Sequence, residues 1–280
     1  MIVAVAGLGA MGSRIAGRLL DSGYEVVVWN RTPERAKPLV ERGATLAESP
    51  ADAASKAEAL ITMVADPPAL ESVGAALAAG VSDELTVIQM STVGPTAVSR
   101  LASLLPTGTG LLDAPVLGSV SEAESGTLKI FVGGPEPLVE RWMELLSLLG
   151  QPMRVGEVGA GQAAKLVANA TLVGLIGLLG ESLALGEGLG LPRDVVFDVL
   201  AVTALAQQAE RRRPAVEAGD YPPRFALYLA RKDADLIIDA AAESGVDVRV
   251  VTAARSWLAE AEAAGLGSLD YSAVLKRILE

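Results

Sequence analysis

Apolar residues in the first half of the chain fall into short blocks. Ile2–Ala6, Tyr24–Trp29, Ala59–Val64, Thr86–Met90, Gly110–Asp113 and Leu128–Val132 read as strands. Near-continuous apolar runs of this kind suit strands covered on both faces. Between them lie stretches with helical spacing: Met11–Ser22, Pro33–Arg42, a helix able to start at Asp66-Pro67-Pro68, and Ala97–Leu104. Pro33 suits a first helical turn, where no backbone N–H is required. Strands separated by helices predict parallel pairing through crossover helices, hence a doubly wound α/β sheet.

The texture changes from about Pro137. Strand signal nearly disappears, and Leu138–Leu149, Gln162–Leu189, Arg193–Thr203, Arg231–Ser244, Val251–Ala264 and Ser272–Leu279 read as helices. The expected organisation is an α/β domain over 1–158 and an all-α domain over 159–280, with the boundary near Gly156–Gly161 and a long helix joining them. A length of 280 residues fits two domains.

Charge and composition then remove whole classes of chemistry. Lys and Arg number 23 against 34 Asp and Glu, a net charge of −11, which disfavours nucleic-acid partners. There is no Cys and no His. Disulfides, thiolate nucleophiles, Cys- or His-ligated metals and the Ser-His-Asp triad are thereby excluded, and no metal site is expected. Proton transfer must fall to Lys, Tyr, Asp or Glu. Met1–Ala6 is too short for a signal h-region and lacks a basic start. Lys165 is the sole charge between Glu157 and Glu181, but Gln162, Lys165 and Asn169 interrupt that apolar run, so a helix buried in protein is expected, not a membrane span. The expectation is a cytoplasmic protein. Arg211-Arg212-Arg213 reads as a solvated face, with a contact to another subunit as the alternative.

Gly7-Leu8-Gly9-Ala10-Met11-Gly12 fits G-x-G-x-x-G, follows a strand and opens a helix. That is the context of a dinucleotide-binding turn. Gly7 allows the tight turn, Gly9 a close backbone approach to pyrophosphate, and Gly12 close helix–strand packing. The helix N-terminus offers amides and a positive dipole end to phosphates. The alternative is an ordinary βα turn. At the end of the second strand stand Asn30, Arg31 and Thr32, where an NAD site usually has an acidic residue on the ribose 2′-hydroxyl. A guanidinium there favours the 2′-phosphate of NADP(H) over NAD(H); a surface Arg without a ligand is the alternative.

Several strings now stand in register: the glycine turn, Asn30-Arg31-Thr32, Asp113-Ala114-Pro115-Val116, Gly126-Thr127-Leu128, Gly159-x-Gly161-x-x-x-Lys165-x-x-x-Asn169 and Lys232-Asp233. Together they resemble the β-hydroxyacid dehydrogenases, the family of 3-hydroxyisobutyrate dehydrogenase. Tyr221-Pro222-Pro223-x-Phe225 and the Gly265–Ser272 stretch are similar to its glyoxylate/succinic semialdehyde reductase branch. The resemblance implies an N-terminal Rossmann domain, a long interdomain helix and a helical domain that mediates dimers or tetramers. It implies reversible hydride transfer between a nicotinamide and a small β-hydroxy acid, semialdehyde or keto acid. It implies that Lys165 is the acid/base and that Asn169 assists. Lys232 would reach the cofactor or active site from the C-terminal domain with Asp233 beside it, and Val64-Ala65-Asp66 and Thr92 would line the cofactor.

Carbonyl reduction builds negative charge on oxygen, which needs a proton donor in a dry site. Without histidine, a lysine ammonium is a natural donor. Lys165 lies on an otherwise apolar helix, where an isolated ammonium is costly and desolvation lowers its pKa towards the working range. Asn169, four residues later, shares its helical face and can bind substrate or fix the ammonium. A buried structural ion pair is the alternative for Lys165, a surface helix pair for Lys232-Asp233, and a strand-end cap for the Thr92 hydroxyl.

One segment departs from the family pattern. The substrate loop, usually Asp-Ala-Pro-Val-Ser-Gly-Gly, here ends Leu117-Gly118-Ser119. Leu117 replaces the hydroxyl that meets a substrate carboxylate. The amides of Gly118 and Ser119 remain, and the Ser119 hydroxyl is a shifted donor. Weaker binding of small carboxylates, or a more apolar substrate, is expected. Imine reduction is therefore an alternative that Leu117 favours and Lys165 disfavours. A non-catalytic NADP-binding module is a second alternative, disfavoured by Lys165 with Asn169.

Overall fold

The structure, a computed structural model, describes residues 1–78, 81 and 84–280. They form two compact units, Met1–Lys165 and Leu166–Glu280.

The first unit contains β1 (Ile2–Ala6), α1 (Ala10–Asp21), β2 (Glu25–Trp29), α2 (Lys37–Val40), β3 (Thr45–Leu46), α3 (Pro50–Ser55), β4 (Ala59–Thr62), α4 (Pro67–Leu77), β5 (Thr86–Gln89), α5 (Pro95–Leu104), β6 (Gly110–Asp113), β7 (Val116–Leu117), α6 (Val120–Ser125), β8 (Leu128–Gly133), α7 (Glu136–Leu149) and β9 (Gly150–Gly156). The strand order β3-β2-β1-β4-β5-β6 is all parallel, the doubly wound arrangement that the alternating pattern predicts. Its order reverses between β1 and β4, where such sheets bind ligands. Successive side chains point to opposite faces, which explains the uninterrupted apolar runs. Val3, Val5, Ile61 and Ile88 pack against Ile15, Leu19, Trp142 and Leu145. Ala4, Ala6, Leu60 and Val87 face Leu70, Val73, Leu77 and Leu101. Burying one such Leu or Ile contributes about 1.5–3 kcal/mol.

Two features differ from the sequence reading. β8 runs antiparallel to β6 and β7, because the connection over 118–127, which holds only the short α6, is shorter than the dozen or more residues a parallel crossover takes. β9 is a strand that the composition hid: Gly150, Gln151, Pro152 and Arg154 carry no β signal. It pairs with β8 alone, and an edge tolerates the missing donor of Pro152.

The helix α8 (Ala160–Gly188) runs from the first unit into the second, which holds α9 (Arg193–Leu200), α10 (Ala206–Ala218), α11 (Leu227–Glu243), α12 (Arg249–Ala261) and α13 (Val274–Leu279). The junction expected from the sequence, 158/159, lies just before α8. Among the described residues α8 is the one helix long and apolar enough to cross a membrane. Its Leu166, Val173, Ile176, Leu179 and Leu183 nevertheless form the second unit's core with Phe197, Leu227, Leu258 and Leu275.

The Arg211-Arg212-Arg213 expectation is corrected. Arg211 is exposed and Arg213 pairs with Glu217 and Asp198, but Arg212 is buried on α10. Its guanidinium donates to the Tyr271 hydroxyl, pairs with Asp270 at 3.4 Å and stacks on the Tyr271 ring. Asp270 also accepts from the Ser272 hydroxyl and the Phe225 amide. The Tyr221–Phe225 and Gly265–Ser272 segments are thus joined, with Tyr271 N donating to Phe225 O and Asp270 N to Tyr221 O.

Candidate active site

The glycine turn has the shape its residues predict. Gly7 has φ of +101°, and a Cβ there would lie 2.3 Å from the Met63 carbonyl oxygen. A Cβ on Gly12 would lie 1.9 Å from the Gly7 carbonyl oxygen. A Cβ on Gly9, the residue that caps α1, would meet nothing within 4 Å. Two glycines are therefore required by the protein itself, while the third borders open space. Ala10, Met11 and Gly12 follow in the first turn of α1, whose amides have no intrahelical acceptor. An open cradle in front of such amides fits a dinucleotide pyrophosphate.

Asn30 organises this turn. Its Oδ1 accepts from Leu8 N at 2.8 Å and its Nδ2 donates to Thr32 O at 2.9 Å. The amide thus clasps the glycine loop to the end of β2. The side chains of Arg31 and Thr32 are exposed there, available to a ligand.

Two strand-end segments expected near the cofactor lie beside one another. Val64 N donates to the Ser91 hydroxyl at 2.8 Å, and the half-buried Thr92 follows Ser91. Ala65 links Val64 to Asp66, whose carboxylate caps α4 by accepting from Ala69 N at 2.9 Å. Asp66 therefore shapes its segment through its backbone, with its side chain committed to the helix.

Below these segments sits a polar network that the sequence reading did not include. Gln162 and Asp113 are fully buried. Gln162 N and Nε2 donate to Asp113 Oδ2 and Oδ1 at 2.8 and 2.9 Å. Nε2 also donates to Ser91 O, and Oε1 accepts from Val93 N and Gly94 N, each at 2.9 Å. Burial pushes the Asp113 carboxyl up to about 6, against the hydrogen bonds from Gln162, Gly159 and Gly161 that favour its ionised form. The sequence did carry a signal. Gln162 interrupts the apolar helix three residues before Lys165, on the same face, for the same reason that made Lys165 stand out.

Lys165 is buried, as are Asn169 and Asp233. Within the second unit, Asn169 Nδ2 donates to Asp233 Oδ2 at 2.6 Å. Lys232 Nζ lies 2.7 Å from Asp233 Oδ1, an ion pair without the alignment of a good hydrogen bond. Asn169, Asp233 and Lys232 are therefore brought together, and the Lys232 charge is largely offset.

The Leu117–Ser119 segment enters α6, which packs on α1 through Arg14–Glu124 at 3.1 Å. Ser119 N donates to Glu122 Oε2 at 2.8 Å in a capping box. That amide is committed to the helix and is not a donor this segment can turn to a ligand. Gly118 has φ of +141° and packs against Leu128 and Glu122, so the turn favours glycine.

The chain resembles known proteins over its full length. Residues 2–161 match the NAD binding domain of 6-phosphogluconate dehydrogenase. Residues 159–278 match the NAD-binding domain of NADP-dependent 3-hydroxyisobutyrate dehydrogenase. Glyoxylate/succinic semialdehyde reductase 1 of Arabidopsis thaliana is 33% identical, covering 99% of this chain and 98% of the relative. The 3-sulfolactaldehyde reductase of Escherichia coli strain K12 is 34% identical, covering 99% and 95%. Among solved structures, Mycobacterium tuberculosis 3-hydroxyisobutyrate dehydrogenase with L-serine matches at a TM-score of 0.90 and 28% identity, covering 100% of this chain and 99% of that one.

Proposed function

The chain belongs to the β-hydroxyacid dehydrogenase family and is an oxidoreductase of the 3-hydroxyisobutyrate dehydrogenase type, and from that premise we propose that it reduces a small semialdehyde or keto acid with NADPH, using Lys165 as the proton donor. The observation that carries this reading is Lys165 itself: a buried ammonium on an apolar helix, one turn from a buried Asn169. In this reading residues 1–158 are the cofactor domain and 159–280 the substrate and oligomerisation domain.

When bound, the reduced nicotinamide supplies the hydride. The chain's residues do the rest. The first-turn amides of α1 bind the pyrophosphate across the open face at Gly9. Arg31 and Thr32, exposed at the end of β2, bind the 2′-phosphate. Lys165 hydrogen-bonds the carbonyl oxygen, stabilises its developing charge and releases a proton to it. Asp233 orients the Asn169 amide by accepting from it, so that its carbonyl end can accept from the hydroxyl that reduction forms. Gly118 N and Ser119 Oγ bind the far end of the substrate. Relatives named for glyoxylate, succinic semialdehyde and 3-sulfolactaldehyde support a small aldehyde bearing an anionic group, while Leu117 supports one with weaker demand for carboxylate donors.

A homodimer or homotetramer through the C-terminal helices belongs to the same reading. Val167, Leu178 and Leu185 of α8 are 69%, 52% and 64% exposed. Their spacing sets them on one face, an apolar stripe of the kind subunit contacts cover.

The test is a screen of aldehydes, keto acids and cyclic imines with NADPH and NADH, on wild type and Lys165→Ala. Carbonyl turnover that the substitution abolishes supports the proposal. Turnover of imines alone identifies an imine reductase, and no turnover identifies a cofactor-binding module.

A further inference from the structure

The hydrogen bonding at the first turn of α8 exceeds what a helix start requires. One acidic or hydroxyl side chain suffices as an N-cap. Here Asp113, the last residue of β6, accepts from three successive regions of the turn: the amides of Gly159, Gly161 and Gln162. Gln162 returns from the helix into the sheet and fills every hydrogen-bonding position of its amide. Its two donors serve Asp113 and Ser91 O, and its acceptor serves Val93 N and Gly94 N. Ser91 continues the chain of bonds to Val64 N and to the Thr62 carbonyl. Gly161 lets the backbones meet, since a Cβ there would lie 2.3 Å from the Asp113 carbonyl oxygen and 2.6 Å from that of Phe131. All these residues belong to the first unit.

Stability alone does not call for this arrangement. An apolar side chain at 162 would bury as well, as Leu166 does one turn later. A buried network with every position satisfied imposes one geometry. Lys165 stands three residues from Gln162, about 4.5 Å along the helix axis and on the same face.

We propose that Gln162 and Asp113 are positioning residues, which clamp the first turn of α8 to the ends of β4, β5 and β6 and so fix Lys165 against the Val64–Asp66 and Thr92 segments. This rests on the reading of Lys165 as proton donor. The clamp acts through distance: a donor displaced by about 1 Å from its acceptor loses rate by up to about 100-fold.

Gln162→Met keeps the side-chain length and removes every polar contact. It should lower kcat for carbonyl reduction about 10- to 100-fold, with a smaller change in KM, and displace the alkaline limb of the kcat–pH profile. Gln162→Glu sets a second carboxylate against Asp113 and should lose as much. Adding Asp113→Asn to Gln162→Glu restores the donor–acceptor pair between 113 and 162, though not the bond to Ser91 O, and should recover part of the loss, which a general packing defect would not. A folded Gln162→Met chain with kcat within about two-fold of wild type overturns the proposal. Amide hydrogen exchange over residues 159–168 separates it from its premise. If wild type reduces no carbonyl, or Lys165→Ala does not impair it, the proton-donor reading fails. Faster exchange in Gln162→Met would still support the clamp, and unchanged exchange would overturn it.

Discussion

Gly9→Ala isolates ligand approach from folding. Gly9 has φ of −74° and ψ of −166°, values that alanine adopts without strain. Alanine there restricts the unfolded chain, worth about 0.4–1 kcal/mol, and is a poorer helix cap than glycine by a comparable amount. The net change in stability is close to zero. The added methyl nonetheless projects into the space left open beside the α1 amides. If a pyrophosphate comes into hydrogen-bond contact there, the methyl pushes it back and costs one charge-assisted bond. At about 1.5–3 kcal/mol for such a bond and about 1.4 kcal/mol per decade, NADPH affinity should fall about 10- to 100-fold. Gly12→Ala provides the contrast. Its Cβ would stand 1.9 Å from a backbone oxygen, far inside the 3.4 Å at which ordinary contact begins, and α1 must shift. Overpacking of this kind costs about 1–3 kcal/mol or more. Tm by circular dichroism and NADPH Kd by fluorescence titration read the two effects. A Gly9→Ala chain with wild-type Tm and wild-type Kd refutes the reasoning, as does a Gly12→Ala chain with unchanged Tm.

Three further outcomes are expected. Burial holds the Asp113 proton up to about 6 rather than 3.8. Between those values the folded chain binds the extra proton, so this group's contribution to stability falls as pH rises from about 4 to about 6 and is constant above. At about 1.4 kcal/mol per pH unit the window amounts to roughly 3 kcal/mol; the Asp113→Asn denaturation curves should lack it, and parallel pH profiles for the two chains would contradict the assignment. Arg212→Met strands the buried Asp270 carboxylate and should cost about 3–5 kcal/mol by denaturant titration, with adding Asp270→Asn costing less than additivity requires. Arg31→Ala should weaken NADPH about 10- to 100-fold and leave NADH nearly unchanged; equal losses in competitive titrations would remove Arg31 from the 2′-phosphate site.

The doubly wound sheet was legible because each strand is buried on both faces and each crossover helix has its own period. Gly7–Gly12 and Lys165 were legible for a local reason too: a turn of fixed geometry, and a charge where the helix tolerates none. Elements held by remote contacts were not. α10 carries Pro214 and little apolar periodicity; its polar Arg212 faces inwards because Asp270 and Tyr271 receive it. β9 exists because β8 offers it an open edge. Gln162 was visible as an interruption of an apolar run, but its purpose depends on Asp113 and Ser91, far away in sequence. The same holds for Ser119, whose amide is claimed by a helix cap.

The Asn30 clasp bears on how cofactor preference can change in this scaffold. Leu8 N needs an acceptor at position 30 whichever cofactor is used. An Asn30→Asp exchange would retain that acceptor while surrendering the bond to Thr32 O, and would bring the carboxylate that NAD sites set against the ribose 2′-hydroxyl. One amide-to-carboxylate exchange therefore keeps the acceptor for Leu8 N while adding a negative charge beside Arg31. Residue 30 is thus bound first to the loop, and asparagine and aspartate both keep the acceptor that Leu8 N uses.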